Sequence, residues 1–254
     1  GLMSITGERD DLPGGGPQKA GVAISDLMTG MYSTVAVLAA LAHRDRTGEG
    51  QYIDVAMMDA AILLQMPSFM NYMNGGVVPT LNGNRAATGS PTADSFATSD
   101  GYIMTVMIEE RQVEAFFKVL GLADAYADPK YHDDDARKAN EQTLRPLLDR
   151  VFATDTTANW AQRLSKAGVA CAEVSKAPDI VKQEQFKHRS LFADVTMAGK
   201  NDTGIKAVTT GYVMSDTTLR VRPAPALGQH TEEILAEAGY GADDIAQFRS
   251  SALI

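Results

Sequence analysis

Cys171 is the single cysteine among 254 residues, so an intrachain disulfide is excluded and a reducing, cytoplasmic setting is expected. Cationic excess is missing too: the formal net charge is -9 and there is no basic run, which argues against nucleic acid as a partner. The four histidines, at 43, 132, 188 and 230, never fall at metal-ligand spacing, and no metal site is expected. No Gly-x-Ser-x-Gly elbow occurs, and no Gly-x-Gly-x-x-Gly follows a strand-like run; a serine hydrolase and a dinucleotide site lose their support. Gly14-Gly15-Gly16 lacks a preceding strand and runs into Pro17, so it reads as a loop rather than a phosphate cradle. The N-terminus is polar and Gly-rich, without the basic and apolar regions of a signal peptide. Cys171 itself lies in the apolar run 168–172, where packing is the simpler role for a thiol.

With 44% hydrophobic and 22% charged residues, the composition is that of an ordinary globular chain, long enough for one large or two small domains. The most informative stretch is Lys19 to Asp59. Leu27 to Ala42 holds no proline and few polar residues, which predicts a helix buried in a sizeable core with Asp26 as its N-cap. That apolar run is short for a membrane span, and none is expected. Cations at His43, Arg44 and Arg46, then Gly48 and Gly50, close the helix. Gln51 to Val55 alternates as a strand would, and a second helix from Ala60 towards Met70 should kink or end near Pro67. A carboxylate at a helix start can serve only as a cap, or it can also act as a positioned nucleophile on an activated carbonyl. Spacing alone leaves both open.

Residues 72–91, rich in Gly, Asn and Pro, predict a connection and a domain boundary. Phe96 to Tyr102 then reads as strand-turn-strand with Asp100-Gly101 in the turn, and Ile103 to Ile108 as strand. Glu110 to Leu120 reads as a helix ended by Gly121. The acidic run Asp133-Asp134-Asp135 is expected to be a solvated loop before a further helix. Thr156 or Thr157 should start a helix containing Trp160 and closed by Gly168, followed by a strand through Val174. Residues 176–187 read as helical, 191–197 and 206–210 as strands, and Thr231 as the cap of a C-terminal helix.

Pro17-x-Lys19-x-Gly21, Asp26-Leu-Met-Thr-Gly30, Arg46-Thr-Gly-Glu-Gly-Gln-Tyr-Ile-Asp54-Val, Gly83-Asn84-Arg85 and Gly228-Gln-His230-Thr231 together resemble the family III CoA-transferases, the formyl-CoA and carnitine-type acyl-CoA transferases. The resemblance covers nearly the whole chain and implies a member lacking the N-terminal part. The implied fold is α/β. A Rossmann-like large domain, incomplete on its N-terminal side, takes residues 1–75 and 212–254, and a smaller α+β domain takes 88–206. Asp26 matches the family's catalytic nucleophile. The implied function is acyl-CoA:carboxylate CoA transfer through an aspartyl-CoA thioester, with coenzyme A thioester as substrate, a small carboxylic acid as partner and no permanently bound cofactor. An interlocked homodimer follows from the same resemblance. Arg85 is a candidate for the mouth of the site. Glu110 is a candidate because related acyl-CoA racemases use an acidic residue in the second domain. A racemase or epimerase of the same fold, and a non-enzymatic partner subunit, are the rival expectations.

Overall fold

A computed structural model of the chain describes residues 1–86, 88–195, 205–218, 222 and 224–254. It divides into two compact units, Gly1–Val174 and Ser175–Ile254. The first unit opens with a 3-10 turn and a short hairpin, β1 (Gly7–Glu8) against β2 (Gly16–Pro17). Helices α1 (Ile24–Thr47), α2 (Met57–Leu63) and α3 (Met66–Gly75) follow. Then come β3 (Ser95–Ala97), β4 (Tyr102–Val106), α4 (Glu110–Val119), α5 (Ala123–Ala127), α6 (Asp134–Ala139), α7 (Glu141–Phe152), α8 (Thr157–Lys166) and β5 (Ala170–Glu173). The second unit contains α9 (Ala177–Ile180), α10 (Glu184–His188), β6 (Phe192–Val195), β7 (Ile205–Val208), α11 (Thr231–Glu237) and α12 (Ala242–Ser250).

The core of the first unit is built by amphipathic helices on an antiparallel sheet ordered β3-β4-β5. On α4 the buried face is Val113, Phe116 and Phe117; on α7 it is Leu144, Leu148 and Phe152; on α8 it is Trp160 and Leu164. These spacings of three and four residues put each set on one stripe. Phe96 stacks on Phe152 with ring centroids 4.6 Å apart, and Trp160 donates its indole N–H to the Phe152 carbonyl at 2.9 Å. Burying an aromatic or branched side chain of this kind contributes about 1.5–3 kcal/mol.

The predicted hairpin is present: Ala97 pairs with Tyr102 across the loop 98–101, and the Thr98 amide donates to the Gly101 carbonyl. The Asp100 carboxylate accepts from the Thr157 amide at 2.8 Å and its hydroxyl at 2.9 Å, fixing that loop to the start of α8. These bonds, the amide first, hold the Asp100 carboxyl below its ordinary pKa. Gly121 and Gly168 follow α4 and α8 with positive φ, as expected of residues that end helices. The Thr156 hydroxyl caps α8 by accepting from the Asn159 amide.

Several expectations need correction. The first long helix starts at Ile24, with Ala23 as N-cap; Asp26 is its third residue and caps nothing. The Ala23 carbonyl already accepts the Leu27 amide, so the helix begins nearly a turn earlier than the apolar run suggests. At 24 residues it is also longer than that run, and none of its residues is buried. By length and composition alone it is apolar enough to cross a membrane. Gln51 to Val55 keeps its alternation, with Ile53 and Val55 partly buried, but pairs with no strand among the described residues.

The Ala60–Met70 helix is two helices, and Pro67 sits in the first turn of α3, where a missing N–H costs nothing. The acidic run is not all loop. Asp133 caps α6 by accepting from the Ala136 amide at 2.8 Å, which puts Asp134 and Asp135 in the favourable first turn. The 176–187 stretch is split between α9 and α10. His230, not Thr231, is the N-cap of α11. The 191–197 strand is present as β6, and its last two positions lie outside the described residues.

Candidate functional site

Asp26 is exposed in the first turn of α1, and among the described residues its carboxylate has no hydrogen-bond or ion-pair partner. The amides of Ser25 and Asp26 likewise meet no acceptor among the described residues, as the first amides of a helix generally do not. The arrangement is an open carboxylate beside open N–H groups at the positive end of a 24-residue helix. Such a carboxylate is free to attack an electrophile, and such amides are free to receive an oxyanion.

Arg85 lines a cleft of about 440 Å³ with Ser68, Asn71, Asn82 and Thr88. Its guanidinium is already engaged. It makes a two-pronged pair with Glu141, one prong at 2.8 Å, and its Nε reaches Asp94 at 3.4 Å. The side chain is only 11% exposed, so this is a partly buried, charge-assisted network rather than a solvated loop arginine. Arg145 meets Asp94 at 2.6 Å and lies over the Phe96 ring. Arg9 adds a second cation to Glu141 at 3.1 Å.

The hydrogen bond from Arg85, followed by the charges of Arg85 and Arg9, holds the Glu141 carboxyl below its usual range against the opposing effect of burial. A carboxyl with a folded pKa below its unfolded value, about 4.3, stabilises the fold fully above that unfolded value. The stabilisation is lost as pH falls through the folded pKa.

Glu110 begins α4 and holds both terminal nitrogens of Arg137, at 2.8 and 2.7 Å. Arg137 is 1% exposed and also donates to the Tyr131 carbonyl, while its Nε finds no acceptor. Removing the carboxylate leaves a cation buried without its counter-charge. Glu110→Ala is therefore expected to destabilise the first unit by about 3 kcal/mol, the low side for a buried pair because Glu110 itself is half exposed. Urea denaturation measures it; a fall in activity at unchanged midpoint would instead give Glu110 a direct part in chemistry.

Asp26, Arg85 and Glu110 share no hydrogen bond or ion pair with one another among the described residues. Arg137, Glu141 and Asp94 were not anticipated. Their charged partners lie between 9 and 132 positions away, and no local pattern announces such pairs. No group of three or more His, Cys, Asp or Glu side chains able to hold a metal occurs among the described residues. Cys171 is partly buried against the core, its Sγ 3.5 Å from the Ser165 hydroxyl oxygen.

The described residues form a mixed α/β protein with an exposed carboxylate at the start of a long helix. Residues 1–231 match the family model described as CoA-transferase family III, and the chain belongs to that family. It is 34% identical to the succinate–glutarate CoA-transferase of Agrobacterium fabrum over 93% of this chain and 58% of that protein. It is 33% identical to the succinyl-CoA:mesaconate CoA-transferase of Haloarcula hispanica, over 95% of this chain and 59% of the relative. The chain thus spans a little under three fifths of the length of these curated relatives. A solved CAIB/BAIF family protein from Brucella suis superposes with a TM-score of 0.79 at 30% identity, over 93% of this chain and 60% of that one.

Proposed function

We propose that the chain is part of an acyl-CoA:carboxylate CoA-transferase in which Asp26 is the covalent nucleophile. The observation that carries the reading is the Asp26 carboxylate, without a partner among the described residues, beside first-turn amides of α1 that meet no acceptor among them, inside the region matched by the family model. A carboxylate oxygen of Asp26 attacks the thioester carbonyl, the C–S bond breaks, and CoA leaves as thiolate. The thiolate then attacks the Asp26 carbonyl of the mixed anhydride and expels the first acid, leaving an aspartyl-CoA thioester. A second carboxylate attacks that thioester, CoA leaves again, and its attack on the acyl carbonyl releases the new acyl-CoA and the original carboxylate. Dividing the transfer into covalent steps lets one side chain serve both half-reactions, and no metal enters the scheme. The Ser25 and Asp26 amides, which meet no acceptor among the described residues, are the donors proposed to receive oxyanion charge.

The named relatives act on succinate, glutarate and mesaconate derivatives, so short dicarboxylic acids are the substrates proposed. A homodimer in the cytoplasm, with a Rossmann-like large domain, completes the proposal.

The test is to incubate the protein with succinyl-CoA and isotopically labelled glutarate in D2O. Labelled glutaryl-CoA without deuterium at the α-carbon is the expected result. Deuterium at the α-carbon without transfer of CoA would replace transfer by racemase chemistry.

A further inference from the structure

We infer that Glu141 is a positioning residue for Asp26, an inference that rests on the nucleophile reading above. No residue of α1 is fully buried, and its main packing partner is α2, which follows its C-terminal end, so the segment ahead of it is what leads into and bears on its first turn. The segment ahead of it is the β1–β2 hairpin, whose base is closed by the Gln18 amide donating to the Thr6 carbonyl at 2.7 Å. Residues 18–23 then lead directly into α1.

Glu141 fixes that hairpin from outside. It is the first residue of α7, a helix anchored by the fully buried Leu144, Leu148 and Phe152. One carboxylate oxygen lies 3.1 Å and the other 3.2 Å from Nη1 of Arg9, which stands in the hairpin loop. The same carboxylate takes both terminal nitrogens of Arg85 from the 76–92 connection. That connection is in turn stitched to the hairpin, since the Gly83 amide donates to the Gly7 carbonyl at 2.9 Å. Gly83 has φ +61, a left-handed conformation that favours glycine, and a Cβ there would come within 2.7 Å of the Glu8 carboxylate, so a side chain would strain this turn and displace the Glu8 side chain.

One anion thus ties the hairpin and the connection to a rigid helix. Asp11 holds the other side of the Arg9 guanidinium and Asp94 the Nε of Arg85, so each cation is oriented as well as neutralised. Displacing a reacting group by about 1 Å can cost ~10²-fold in rate, and the hairpin is where such a displacement of Asp26 would start.

The test uses Glu141→Gln and Arg9→Gln in the full chain, read by amide hydrogen exchange and by steady-state CoA transfer. Arg9→Gln cuts only the hairpin's link and leaves Arg85 on Glu141, so it answers even if Glu141→Gln does not fold. Faster exchange of the Gln18 and Gly83 amides is expected, with core amides of α7 and α8 unchanged. With it, kcat should fall roughly ten- to hundredfold while KM for acyl-CoA changes less than about twofold. Unchanged hairpin exchange in both variants, or lost activity without it, overturns the positioning role while Asp26-dependent transfer stands. Absence of Asp26-dependent transfer in the unaltered protein overturns the nucleophile reading, and the positioning role with it.

Discussion

Asp26→Ala is expected to lower CoA transfer by ~10⁴-fold or more, the scale on which loss of a covalent nucleophile acts, and to leave the thermal midpoint almost unchanged. Both halves follow from the same geometry. The carboxylate is exposed and has no partner among the described residues, so its removal creates no cavity and strands no buried group. The only cost to the fold is the dipole interaction at the start of α1, about 0.3–1 kcal/mol. The loss in rate is large because the free thiolate and the two acids have no other route through a covalent intermediate. Steady-state rates with succinyl-CoA and glutarate, together with a thermal melt, read both quantities. A matching loss of stability would mean that Asp26 holds structure, and the rate would then say nothing about chemistry.

Phe152→Ala is expected to do the reverse. Phe152 is fully buried, stacked on Phe96 at 4.6 Å, with its centroid 5.2 Å from that of Trp160. Truncation removes the transfer free energy of the ring and leaves a cavity that β3 and α8 cannot both fill. The cost is about 3–5 kcal/mol, or ~10 °C in Tm for a unit of this size. Ile108→Ala, at a side chain 92% exposed, is the control and should change stability by less than ~0.5 kcal/mol. A mild effect at Phe152 would mean that the aromatic cluster is not what holds the first unit together.

What the sequence discloses here depends on how far apart the interacting groups lie. The β3–β4 hairpin and the ends of α4 and α8 were legible, because the Asp100-Gly101 turn, Gly121, Thr156 and Gly168 act on the backbone next to them, whereas the bond from Thr157 to the Asp100 carboxylate spans 57 positions and left no local trace. The proposal of Asp26 as nucleophile comes from the family resemblance and not from spacing; the same residue read as a cap was wrong, since Ala23 and Val22 begin the turn earlier. The exposure of α1 could not be read at all. Its apolar residues describe a surface that prefers cover, and the described residues of this chain do not bury it. The pairs of Glu110 with Arg137 and of Glu141 with Arg9 and Arg85 depend on tertiary contacts between distant segments, so charge spacing along the chain carries no trace of them.

The most direct measurement is the intact mass of the protein after incubation with succinyl-CoA, for the unaltered chain and for Asp26→Ala. The account predicts an adduct of CoA or of the acyl group on the unaltered chain, located at Asp26 by peptide mapping and missing from the variant. An adduct of equal yield in Asp26→Ala, or one mapped to another residue, would contradict it.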